Sequence, residues 1–407
     1  MKKLLELGDH YVSDFVKPNH EMRETKPWSL DLYLDESIGA VRLDGVAPLD
    51  KMYGQYWYRS GINASMTKQL NQIVGEILDR VVIKDDDIWL DIACNDGTLL
   101  KAVPSHMIKL GIDPADDSYI AESSKVATVV QDFFSEAAYQ RTGYGDRKAK
   151  VVTCIAMFYD LENPRPFIRD VHKILADDGV FVVQMSYTPL MLKQLAFDNI
   201  CHEHVYYYSL SSIKRLFESE GFVVRDCSLN DTNGGSFRVY FQKSTSDKRT
   251  FATQQQRDVC DFRVDSTLAY EQREWDISEP EHWENFGANI KELRQQVLEF
   301  LQGAKAEGKT VYGYGASTKG NTLLQLFGIT PDLVTAIAER SPYKFGLKTV
   351  GTNIPIVSEE EMRAAKPNYL LVLPWHFIDE FVKREQDFLD NGGALVVPCP
   401  KFQVIKI

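Results

Sequence analysis

Short apolar runs and segments of helical period alternate along most of this chain, and the alternation divides it into unlike parts. Between residues 86 and about 245, strand-like runs fall at 87–92, 108–112, 126–130, 150–156, 178–185, 222–228 and 236–242. Helical patterns such as Pro166 to Ala176 and Ser211 to Glu220 lie between them. Five strands with intervening helices, followed by two that flank Asn233-Gly234-Gly235 as a hairpin, predict an open α/β sheet. A second α/β pattern begins at 310 with Val311-Tyr312-Gly313-Tyr314-Gly315, a helix through Leu323-Leu324-Gln325, and strands at 333–338, 369–373 and 394–398. Ahead of both, pieces such as Ser29 to Leu34 and Ile38 to Leu43 alternate over too few residues for a full domain and predict a small β-rich lobe. Leu70, Ile73, Val74 and Ile77 recur at helical spacing and feed the first strand. The expected organisation is a lobe over 1–75, a first α/β domain over 76–245, a polar helical connector over 246–305 and a second α/β domain over 306–407.

A chain of 407 residues is too long for one core, which agrees with several domains. Its formal charge of −12 argues against duplex nucleic acid as a partner, because such a partner needs a basic face. It leaves room for an anionic small ligand in a locally positive pocket. No run of 18 apolar residues is present, so no membrane span is expected. The N-terminal Met1-Lys2-Lys3-Leu4-Leu5-Glu6-Leu7 is too short in its apolar part for a signal peptide, and a cytoplasmic protein is expected. Six scattered cysteines form no Cys-x-x-Cys pair and suggest neither a disulfide framework nor a thiolate metal site. The chain is compatible with a monomer or a homodimer.

Chemistry concentrates in three places. In the first, Ile88-Trp89-Leu90-Asp91-Ile92 runs into the small, polar turn Ala93-Cys94-Asn95-Asp96-Gly97, and Ile108-Lys109-Leu110-Gly111-Ile112-Asp113 follows as an acid-tipped strand. A strand, turn, helix and acid-tipped strand form the nucleotide-binding half of an open sheet, where the carboxylate accepts from ribose hydroxyls. The Gly-x-Gly-x-x-Gly pattern that seats a pyrophosphate is missing. With Asp91, Ala93, Asn95 and Gly97 the turn instead resembles the first motif of class I S-adenosylmethionine (SAM) methyltransferases, whose ligand has a ribose but no phosphate. Asp113 reads as the ribose ligand or as the Asp of an Asp-Pro turn. Asp132 and Phe133, after the third strand, read either as an acid and an aromatic for adenine or as a solvated Asp beside a core Phe pair.

The second place is Asn199-Ile200-Cys201-His202-Glu203-His204-Val205-Tyr206-Tyr207-Tyr208, beyond the carboxyl end of the fifth strand, the edge where open α/β sheets bind ligands. A histidine oriented by a neighbouring acid is a common general base. Structural histidines and a metal pair are the other readings, and a third metal ligand is wanting. The third place is Tyr314-Gly315-Ala316-Ser317-Thr318-Lys319-Gly320-Asn321, where a strand enters a glycine-rich turn and a helix begins with hydroxyls and an ammonium. Tyr314, Ser317, Thr318, Lys319 and Asn321, with Arg340 after the next strand, are the candidates to hold phosphate oxygens. A purely structural turn is the alternative. The Walker pattern does not fit.

Tyr56-Trp57-Tyr58-Arg59-Ser60-Gly61-Ile62-Asn63, Asp91 to Gly97, His202-Glu203-His204 and Gly313 to Thr322 together resemble the sugar C-methyltransferase family, across nearly the whole chain. The resemblance implies a small lobe, a class I (Rossmann-like) SAM domain and a C-terminal Rossmann-like α/β domain that helps hold a nucleotide-diphosphate sugar. It implies SAM as cofactor and methyl transfer to the carbon beside the ketone of a nucleotide-linked 4-keto deoxyhexose through an enolate. His204 would be the base, Glu203 and His202 would orient or polarise it, and Tyr56 and Tyr58 would be pocket hydroxyls. The chain departs from the family where members usually bind a structural zinc, since no cysteine precedes Cys94. No zinc is therefore expected, and hydrophobic packing should hold the lobe. Cys201 stands where many members have a tyrosine, and Ile155 to Asp160 lacks their Ala-His pair. Tyr159 and Tyr187 are candidates for the missing hydroxyl. Methyl transfer to oxygen, nitrogen or another carbon, and a sugar-nucleotide- or dinucleotide-binding protein without catalysis, are the competing functions.

Overall fold

The computed structural model describes residues 1–19, 26–47, 59–62, 64–246 and 253–406. A seven-stranded sheet forms its centre, from β1 (Ile88–Ile92), β2 (Ile108–Asp113), β3 (Thr128–Gln131), β4 (Ala149–Ile155), β5 (Leu175–Ser186), β6 (Phe222–Asn230) and β7 (Ser236–Lys243). Their order is 3-2-1-4-5-7-6, and β7 alone runs antiparallel to its neighbours. The β6–β7 hairpin turns at the predicted Asn-Gly-Gly. All five residues of β1 are buried because helices cover both faces, and the two-residue period splits them. Ile88, Leu90 and Ile92 join a cluster with Phe181, Phe217 and Phe241, while Trp89 joins Leu70, Ile73 and Ile77 of the helix Ala64–Leu78 on the other side. Each such side chain contributes roughly 1.5–3 kcal/mol by leaving water.

The polar stretch after β7 forms two helices, Gln254–Glu274 and Pro280–Ala306. The first packs against β6, and its buried Glu271 accepts from the Tyr187 hydroxyl at 2.6 Å and from the Leu210 and Ser211 amides at 2.6 and 2.8 Å. A carboxylate at the start of the helix Leu210–Glu218 satisfies N–H groups that have no partner within the helix. Asp226, fully buried on β6, is neutralised by Arg80 at 2.9 Å and Arg263 at 2.6 Å.

A second sheet follows, from β8 (Val311–Tyr314), β9 (Ile337–Glu339), β10 (Ile356–Ser358), β11 (Tyr369–Val372), β12 (Ala394–Val397) and β13 (Gln403–Ile405), in the order 10-9-8-11-12-13. It is parallel except for β13. The three-residue strands β10 and β13 were not expected, and β9 forms only at the end of the run expected at 333–338. The N-terminal lobe is antiparallel, with Lys2–Leu5, Leu32–Asp35 and Ala40–Leu43, and it takes Tyr206–Tyr207 as a fourth strand. Phe15–Val16 pairs with Lys348–Thr349 beyond β9. Leu4, Leu32 and Val41 pack in one cluster with Trp283, Leu293 and Val297 and with Leu323 and Phe327, so apolar contact across three parts holds the lobe. Among the described residues no group of three His, Cys, Asp or Glu side chains is placed to hold a metal, and no helix is long and apolar enough to cross a membrane. All six cysteines are buried free thiols.

Candidate active site

The turn after β1 is coiled by three left-handed residues, Ala93, Asn95 and Gly97, with φ of 59°, 52° and 76°. This geometry delivers the Asn95 amide to the Asp113 carboxylate at 2.7 Å, and the Ala115 amide meets the other oxygen at 2.8 Å. Asp113 is thereby fixed at the tip of β2, buried, with its pKa raised by that burial. Asp91 lies beneath, accepting from the Thr153 hydroxyl at 2.6 Å, and burial pushes it up to about 7 with the Asp113 charge adding to the effect. A Cβ on Gly97 would stand 2.9 Å from the Ser123 Cα and 3.0 Å from the Val126 side chain. Gly97→Val should therefore destabilise the protein by about 2–5 kcal/mol, from left-handed strain and overpacking together. A denaturation midpoint equal to wild type would contradict this.

Residues 59–62 lie over the same turn, donating from the Ser60 amide to Asn95 Oδ1 at 3.1 Å and from the Gly61 amide to Asp96 Oδ2 at 2.8 Å. Arg59 stacks 3.9 Å above the Tyr119 ring and bonds Ser118. The family resemblance assigned only Tyr56 and Tyr58, as pocket hydroxyls, and gave residues 59–62 no role. Nothing in its pattern signals a docking on the turn after β1. Tyr56 and Tyr58 lie outside the described residues. Asp132 follows β3 and pairs with Arg141, while Phe133 is 55% exposed. The core-Phe alternative therefore does not hold for Phe133.

Beyond β5 the chain passes through the helix Thr188–Lys193 and the turn Phe197–Asn199 before reaching the histidines. Asn199 organises the site. Its main-chain carbonyl accepts from His204 Nδ1 at 2.7 Å, and its side-chain oxygen accepts from Lys319 Nζ at 2.5 Å and from the Ser186 hydroxyl at 3.3 Å. A carbonyl can only accept, so His204 carries its proton on Nδ1 and keeps the Nε2 lone pair. Burial first, and then the Lys319 charge, lower His204 to about 3, so the ring is neutral. Tyr159 packs against it with 4.1 Å between ring centroids. The orientation comes from a main-chain carbonyl rather than from Glu203, which corrects the expected acid–histidine pairing. Glu203 makes no hydrogen bond among the described residues. Burial raises it to about 7, opposed by Lys319. His202 donates from Nε2 to the Trp28 carbonyl at 2.9 Å and so ties this loop to the lobe, away from His204's bonds. Tyr187, whose hydroxyl is committed to Glu271, is not the replacement hydroxyl.

The C-terminal turn departs from its expected use. Gly315 (φ 83°) passes so close to Pro374 that a Cβ would sit 2.6 Å from it, and Ser317 caps the helix Thr318–Phe327 by accepting from the Gly320 amide at 2.9 Å. The turn amide of Ala316 donates to Glu339 at the tip of β9, at 3.0 Å, as does Ser341 at 2.9 Å. A carboxylate thus fills the place expected for phosphate oxygens, repeating the Asn95–Asp113 arrangement. Tyr314 is only 1% exposed, and its hydroxyl is held by Glu385 at 2.5 Å, Glu359 at 3.1 Å and Arg384 at 2.9 Å. It is a core residue rather than a substrate ligand. Asn321 is buried too, donating to the Asp14 carbonyl at 3.2 Å. Thr318 is half-buried at the start of its helix, and Arg340 is exposed just past β9. Lys319 points out of this turn and into the histidine loop. A cleft of about 430 Å³, lined by Met66, Gln72, Asn230, Arg238 and His376 among others, opens between the β6–β7 hairpin and the C-terminal domain.

A seven-stranded sheet in this order, with a polar turn and a strand-tip carboxylate, defines an S-adenosylmethionine-dependent methyltransferase. Residues 64–226 match the family model of a methyltransferase domain, and residues 231–400 match that of a C-methyltransferase C-terminal domain. The C-methyltransferase NovU of Streptomyces niveus is 30% identical over 379 residues, which span 92% of this chain and 87% of that protein. The chain belongs to the C-methyltransferase family. Membership sets aside transfer to oxygen or nitrogen and the purely binding role. Among solved structures, the N-methyltransferase NodS of Bradyrhizobium japonicum covers 44% of this chain and 94% of its own, at 15% identity and a TM-score of 0.32. A SAM-dependent methyltransferase of Clostridium acetobutylicum covers 44% and 92%, at 13% and 0.34.

Proposed function

We propose that this enzyme methylates the carbon beside the ketone of a nucleotide-linked keto-deoxy sugar through an enolate, in the cytoplasm, where buried free thiols stay reduced. One observation carries the reading. A neutral imidazole, locked by Asn199 with its Nε2 lone pair uncommitted among the described residues, stands at the sheet edge that also holds the donor turn. His204 takes the proton from the carbon, the C–H electrons form the C=C bond, and the carbonyl electrons move to oxygen. The enolate carbon then attacks the sulfonium methyl, the S–CH₃ bond breaks, and the ketone re-forms. Asp113 would accept from the ribose of SAM, while Asp91, Ala93, Asn95 and Gly97 shape its turn and Asp132 and Phe133 flank the adenine. Ser317, Thr318 and Arg340 border the edge along which the nucleotide handle would run.

Incubated in D₂O with S-adenosylhomocysteine and a dTDP-linked 4-keto-6-deoxyhexose, the enzyme should wash deuterium into the position beside the ketone. With SAM the product should gain one methyl by mass. Methylation without exchange across a panel of keto sugars would sink the enolate route.

A further inference from the structure

Lys319 belongs to the C-terminal domain, in the first turn of the helix Thr318–Phe327, yet its ammonium bonds Asn199 in the loop beyond β5. The same Asn199 holds His204 through its main chain. One residue therefore holds both the base and a cation, and the two are close enough for the Lys319 charge to act on the ring. Among the described residues the ammonium has no hydrogen-bond acceptor besides Asn199, and neither Glu203 nor Asp198, the two buried acids that feel its charge, forms an ion pair with it within 4.0 Å. Placed there, a cation opposes formation of an imidazolium until negative charge develops between the two. Such a site stabilises the enolate more than the neutral ketone. A role on the diphosphate would need the ammonium at the Gly315–Ser317 turn, where Glu339 already takes the Ala316 amide.

We propose that Lys319 is a catalytic residue of the methyl transfer, its ammonium donating a hydrogen bond to the acceptor's ketone oxygen as that oxygen becomes an enolate. This rests on the enolate reading above. The lysine keeps its protons throughout. The abstracted proton goes to His204 Nε2 and then to solvent, and the oxygen's charge is lost when the methylated ketone re-forms. Lys319→Met should lower both deuterium wash-in and kcat by about 10²–10³-fold, the loss typical of one oxyanion donor. KM for the dTDP-linked 4-keto-6-deoxyhexose and the Kd for SAM should stay within about threefold of wild type. Lys319→Arg, which retains the charge, should recover at least about tenfold over Lys319→Met. A raised KM with unchanged kcat would make Lys319 a phosphate ligand and overturn the assignment. So would equal losses in the Met and Arg variants. Wild-type enzyme that methylates without exchange would overturn the enolate reading itself, whereas normal wild-type exchange with an active Lys319→Met removes only the lysine's role.

Discussion

His204→Ala is expected to lower kcat by about 10²–10⁴-fold, the usual share of a positioned general base, and to stop deuterium exchange while SAM still binds. Loss of the ring also strips the Asn199 carbonyl of its donor, which costs about 1–3 kcal/mol of stability. Activity alone would therefore be ambiguous. His204→Asn separates the two effects, because its amide N–H can replace Nδ1–H toward Asn199 but offers no basic nitrogen. It should melt near wild type and remain inactive. Calorimetry with SAM, thermal melting and exchange followed by mass spectrometry read the three quantities. Turnover within about threefold of wild type in either variant would remove His204 as the base.

Asp113→Ala should weaken SAM binding by about 10²-fold or more, since two charge-assisted hydrogen bonds to ribose hydroxyls are each worth roughly 1.5–3 kcal/mol. Asp113→Asn, which keeps one acceptor, should fall between. The carboxylate must be ionised to accept from both hydroxyls, and burial raises its pKa. The bonding form is therefore lost on acidification at a higher pH than for an exposed aspartate. Affinity should decline as pH falls toward that raised value. Titration calorimetry at several pH values checks both points. An unchanged Kd in Asp113→Ala would place the donor elsewhere.

How far these residues could be read from the chain depends on sequence distance. Asp113 lies 18 residues from Asn95, inside one strand–turn–helix–strand unit, and its place at the strand tip against the turn was readable from spacing. His204 lies five residues from Asn199, within one loop, so its place beyond the fifth strand was visible although the source of its orientation was not. Lys319 is 120 residues from Asn199 and was read as a phosphate ligand, because its local context is a glycine-rich turn and helix start. Tyr314 was misread for the same reason. Its hydroxyl partners, Glu359 and Glu385, are 45 and 71 residues away, and a tyrosine beside such a turn carries no local mark of burial. Ser60 and Gly61 reach the turn after β1 across 35 residues through main-chain amides, which every residue but proline possesses.

By itself the sequence determined the two α/β sheets, the hairpin closing the first of them, the polar turn with its acid-tipped strand and the loop that bears the histidines. Those features depend on periodicity and short-range spacing, which the order of residues states directly. Only the tertiary structure decided that the lobe borrows Tyr206–Tyr207 as a strand, that Tyr314 is core and that Lys319 crosses from one sheet to serve the other. These depend on which polar groups meet once separate apolar faces have packed, and burial selects those partners by geometry rather than by position along the chain.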